Sequence, residues 1–80
     1  MAAEDSTVFP AYRRMVGVQR YYMIRSPRAF TEVELIGERK LVHEVEATMY
    51  PELVRIRQML DLADGTYAAI TAEEWAAAVG

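Results

Sequence analysis

Residues 30–47, FTEVELIGERKLVHEVEA, alternate apolar and charged side chains on both sides of a lone glycine, and no other segment restricts the fold of this chain as tightly. Alternation at period two belongs to a strand with one buried face, and a glycine between two such runs supplies the turn that joins them. The segment therefore reads as a β-hairpin. Its register follows from the requirement that one face be apolar. With Gly37-Glu38-Arg39 as a three-residue loop, Leu35 faces Leu41, Val33 faces His43 and Thr31 faces Val45, while Glu32, Glu34, Val42, Glu44 and Glu46 share the other side. A two-residue loop mixes carboxylates with aliphatics on both faces, so the pattern selects the three-residue loop.

The same residues have a helical alternative. Thr31-Glu32-Val33-Glu34 matches a capping box, and Val33, Gly37, Leu41, Val45 and Met49 recur every four residues, which would make 31–49 helical and the chain all-α. The β-branched content and the central glycine favour strands.

Around the hairpin, residues 16–24 read as a further strand, with Val16, Val18, Tyr22 and Ile24 on one face and Tyr21, Met23, Gln19 and Arg25 on the other. Ser26-Pro27 ends it. Residues 51–63 read as a helix: Pro51 suits the first turn, Glu52 complements the positive helix end, and Leu53, Ile56, Leu60 and Ala63 form a stripe. Asp64-Gly65 stops it. A short strand is expected within 66–70, then a short helix capped by Thr71 with Glu74 reaching back and Ile70 packing on Trp75. The expected fold is α+β: an antiparallel sheet of three or four strands packed on one main helix, with a short C-terminal helix. Residues 8–80 form a single domain, and 1–7 a disordered tail.

Catalytic chemistry has little to build on. The chain of 80 residues has no cysteine, and its two serines, Ser6 and Ser26, stand beside no base or glycine-rich elbow. His43 is the sole histidine, and the hairpin register sets it among aliphatics as a packed residue. Glu32, Glu34, Glu44 and Glu46 lack the turned loop with carbonyl ligands that a hard cation needs. No enzyme activity, cofactor or metal is expected. No apolar run approaches the roughly 20 residues of a membrane span, and the opening MAAEDSTVFP carries acids where a secretory signal carries bases, so the expected setting is cytoplasmic, with no membrane partner.

Binding is the better-supported role. A chain this short buries only roughly 60–65% of its unfolded surface, so a partner or a second copy would complete a marginal core. The net charge of -3 conceals a split: residues 10–28 hold five arginines and no acid, whereas 29–80 hold four bases and ten acids. The first reading is a protein-interaction or regulatory domain using Tyr21, Met23, Arg25 and Gln19, of residue types enriched at interface cores, with homodimerisation through that face or through a strand edge. The second is a nucleic-acid module in which Arg13, Arg14, Arg20, Arg25 and Arg28 contact phosphates and Tyr22, with Tyr12 or Tyr21, stacks on bases. A third is an acidic mimic of a nucleic-acid backbone. The first is preferred because the hairpin's glutamates are positioned to absorb the arginines across the sheet.

Overall fold

A computed structural model describes residues 8–62 and 64–80. Five strands and two helices follow one another as β1 (Ala11–Met15), β2 (Arg20–Ser26), β3 (Ala29–Ile36), β4 (Arg39–Glu46), α1 (Tyr50–Asp61), β5 (Tyr67–Ala69) and α2 (Ala72–Val79). The strands form one antiparallel sheet in the order β4-β3-β2-β1-β5. The first four make a meander, as short connections between antiparallel neighbours require. β5 then joins the free side of β1. The class is α+β, with five strands where three or four were expected, and the all-α alternative is overturned by β3 and β4. The expected tail at 1–7 lies outside the described residues, as does Ala63, the expected last residue of the first helix.

The hairpin forms with a two-residue turn instead of the expected three. Ile36 pairs with Arg39, so Glu34 lies opposite Leu41, Val33 opposite Val42 and Glu32 opposite His43. Gly37 takes φ 60° while Glu38 keeps a negative φ, the arrangement of a type II′ turn with glycine at its first central position. Carboxylates and aliphatics are consequently mixed on both faces. What makes this tolerable is charge from distant elements: Glu32, Glu34 and Glu44 each meet an arginine.

The first strand also differs from expectation. Val16 and Val18 lie half-exposed in the connection between β1 and β2, where Gly17 adopts φ 89°. The strand itself begins only at Arg20 and is preceded by β1, which the sequence pattern did not announce. Between Ile24 and Ser26 the β2–β3 register slips by one residue, leaving Arg25 without a direct cross-strand partner.

Strand register sorts side chains onto two faces. Ala11, Ile24, Phe30 and Val45 lie in line on one, followed by Arg13, Tyr22, Glu32 and His43. Ala11, Tyr22, Ile24 and Phe30 join Ile56 and Met59 of α1, together with Ala47 and Tyr67, in a single buried cluster. The other face carries Tyr12, Met23, Thr31 and Glu44, then Arg14, Tyr21, Val33 and Val42. Here Trp75 of α2 lies 5.7 Å from the Tyr12 ring, and the Lys40 ammonium donates to the Val79 carbonyl. Val33, buried on this face, sits between them.

Both helices begin as local chemistry dictates, with one exception. The Thr71 hydroxyl accepts from the Glu74 N–H and the Glu74 carboxylate from the Thr71 N–H, each at 3.0 Å or less. That is the expected capping box. α1 has Pro51 in its first turn, but its N-cap is Met49, whose side chain makes no cap bond, the Glu52 and Leu53 N–H groups donating instead to the Met49 carbonyl. At the far end Leu62 takes the left-handed conformation at φ 56°, ending the helix ahead of the expected Asp64-Gly65 stop.

Candidate functional site

Three of the five arginines in the opening half are engaged inside the fold. Arg13 donates to the Met59 carbonyl at 2.8 Å and to the Leu60 carbonyl at 3.5 Å, the last turn of α1, where helix carbonyls lack intrahelical donors. Its partial burial lowers its pKa from the ordinary guanidinium value. Arg20 pairs with Glu34 at 3.2 Å. Arg25 pairs with Glu44 at 2.7 Å and also donates to the Thr31 hydroxyl, reaching across β3 to β4. Arg14 and Arg28 are exposed, and among the described residues neither makes an ion pair. Five expected phosphate contacts thus reduce to two, Arg14 on β1 and Arg28 in the β2–β3 turn.

Tyr22 cannot stack on a base, because it is fully buried. Its ring packs at 5.9 Å from Phe30 and edge-on at 5.5 Å from Tyr67. Its hydroxyl donates to Glu32 at 3.0 Å and accepts from Arg55 at 3.2 Å. The Arg55 guanidinium lies 5.6 Å and 5.5 Å from the Tyr22 and Phe30 ring centres and 3.4 Å from the Glu32 carboxylate. Burial, reinforced by the Glu32 charge, pushes the Tyr22 hydroxyl up to about 12. Among the described residues no buried polar side-chain atom lacks a partner, and the Tyr22–Glu32–Arg55 contacts tie α1 to the sheet.

The face expected to bind a protein is largely occupied. Tyr21 and Met23 are half-buried on the side where α2 lies, and Arg25 is half-buried and paired with Glu44. Gln19 is exposed in the β1–β2 connection, its carbonyl accepting from the Leu35 N–H at 3.0 Å. The four residues do not form one open patch. His43, expected to be packed, is exposed and lies opposite Glu32, because the two-residue turn shifts β4 by one position. Among the described residues no three of histidine, cysteine, aspartate and glutamate stand close enough to hold a metal ion.

Open apolar surface occurs where α1 begins. Met49 is 64% and Tyr50 77% exposed, and next to them Tyr50, Leu53, Val54, Arg57 and Gln58 line a groove of about 300 Å³. A second groove, of about 230 Å³, adjoins it between α1 and the β2–β3 turn and is lined by Pro27, Arg28, Leu53, Ile56, Arg57 and Leu60. Leu53 and Arg57 line both. Met49, Tyr50 and Val54 were not singled out as site residues from sequence. The available signals were Val54, an aliphatic beside the Leu53, Ile56 and Leu60 stripe but off it, and methionine where a helix start favours serine or aspartate.

Compared with known proteins, the chain matches no family model, no curated protein and no solved structure. Among the described residues no helix is long and apolar enough to cross a membrane.

Proposed function

We propose that this is a non-enzymatic protein-interaction domain whose contact surface is the outer side of α1, centred on Met49 and Tyr50. The observation that carries the reading is Met49 at the N-cap. The Met49 carbonyl accepts from the Glu52 and Leu53 N–H groups, but its side chain makes no cap bond and exposes its thioether to water where serine, threonine, aspartate or asparagine is preferred. A residue that breaks a local rule without a gain inside the fold points to a role outside it. Methionine, tyrosine and arginine are types enriched in interface cores; here Tyr50 and Arg57 line an apolar groove, and the exposed Met49 precedes Tyr50 in the chain. Arg28 and Arg57 flank the adjoining groove, so an apolar partner segment carrying acids at its rim suits the surface.

The test separates stability from binding. A photoreactive side chain at Gln58, in cells of the source, should form a discrete protein adduct. Met49→Ser combined with Tyr50→Ser should abolish that adduct while leaving the urea midpoint within an amount equivalent to about 0.5 kcal/mol. Adducts that persist in the double variant, or that form to nucleic acid, would overturn the proposal.

A further inference from the structure

β4 is an edge strand of eight residues without a bulge. The Ala47 N–H bonds the Arg28 carbonyl, and the tight turn closes at Ile36 and Arg39, so the odd-numbered residues Arg39, Leu41, His43 and Val45 turn their backbone groups toward β3. Lys40, Val42 and Glu44 turn theirs outward. Among the described residues nothing accepts or donates at those positions. Their side chains all lie on the face that carries Tyr12 and Val33, and Val42 is 53% exposed.

This edge is complementary to itself. We infer that a second copy of the chain pairs antiparallel along β4, with Val42 opposite Val42 on the dyad. A dyad perpendicular to the sheet joins like faces, so residues of equal parity meet. With Val42 at the centre, Lys40 of each chain lies opposite Glu44 of the other, giving two ion pairs around an aliphatic contact, and Leu41 meets His43 on the reverse face. The outward backbone groups of Lys40, Val42 and Glu44 are those that this register bonds. Shifting the dyad to His43 sets Val42 against Glu44 and His43 against its own copy, and centring it on Glu44 opposes two carboxylates. The like-charged Glu38 and Glu46 meet only at the margins, one of them within the turn. Lys40 keeps its bond to the Val79 carbonyl and Glu44 its pair with Arg25, since an ammonium has three donors and a carboxylate two oxygens. One strand pair is a small interface, so the dimer forms in roughly the micromolar to millimolar range. This pairing is independent of the α1 surface.

Sedimentation equilibrium of three samples decides it: the unmodified chain, Lys40→Glu and Glu44→Lys. Each single variant opposes like charges twice and should be monomeric at concentrations where the unmodified chain dimerises. An equimolar mixture of the two variants restores both ion pairs and should dimerise again. Dimers in every sample would place self-association elsewhere, and a monomeric unmodified chain up to about 1 mM would end the idea. If either variant fails to fold, Val42→Cys gives a second measurement. The chain has no other cysteine, and a pair exchanging both hydrogen bonds places its Cα atoms about 5.5 Å apart, within disulfide range. Oxidation should link Val42→Cys chains into dimers and leave Glu46→Cys chains unlinked; equal yields would overturn the register.

Discussion

At Tyr22 burial, ring packing and charge converge on one hydroxyl. In the unfolded chain that hydroxyl ionises near 10, whereas in the fold it holds its proton up to about 12. Below pH 10 both states are protonated and its contribution to stability is fully present. As pH rises through about 12 the contribution is lost, because unfolding releases a proton that the native state retains. Urea midpoints measured across this window should therefore fall more steeply for the unmodified chain than for Tyr22→Phe; parallel curves would contradict the assigned environment. Arg13 permits a second measurement. Arg13→Met leaves the Met59 and Leu60 carbonyls short of a donor and should cost about 1–3 kcal/mol, whereas Arg14→Met, at an exposed position, should stay within about 0.5 kcal/mol. Sequence reasoning preferred these arginines to be absorbed by the hairpin's glutamates, with phosphate contact as the second reading, and Arg20 and Arg25 do pair with Glu34 and Glu44. The fate of Arg13 depends on Met59 and Leu60, up to 47 residues away, and no local pattern contains that information.

At the level of elements, legibility follows the range of the deciding interaction. α2 was legible to the residue because its cap is made by Thr71 and Glu74, three positions apart. Most of α1 was legible for the same reason, although its start at Met49 offended the rule that finds helix starts. β1 was missed because AYRRM sets Arg13 on the inward face, where the alternation test looks for an aliphatic, while Val16 and Val18 carried strand character into what is a turn. The hairpin was found but its register was not: the apolar-face rule presumes that carboxylates seek water, and here Glu32, Glu34 and Glu44 seek arginines instead. The turn that sets this register depends on Gly37. Nothing lies near the position a Cβ would take, so Gly37→Ala meets no clash and pays only for its positive φ. The expected cost is about 1–2 kcal/mol with an unchanged urea m-value, and an unaltered midpoint would mean that a different turn forms.

For the whole molecule, the charge split along the chain is largely cancelled by folding. Arg20, Arg25 and Arg55 meet glutamates of the hairpin, and Arg13 meets the negative end of α1. Little concentrated positive field remains to attract a polyanion. Fluorescence anisotropy with a mixed-sequence single-stranded oligonucleotide at low salt should accordingly show no saturable binding. A steep salt-dependent affinity would show that Arg14 and Arg28 alone suffice to hold phosphate.

The neighbour relation between β1 and β5 has a further meaning during synthesis. β1 leaves the ribosome well before Tyr67–Ala69 exists to cover its outer side, and β2, β3, β4 and α1 must all be translated in the interval. A bare strand on one nascent chain is a template for the same strand on the next chain of a polysome. Arg13 and Arg14 stand in the middle of that strand, and two such strands brought side by side crowd four guanidinium groups together. Such repulsion opposes pairing of β1 with its copy until β5 is in place.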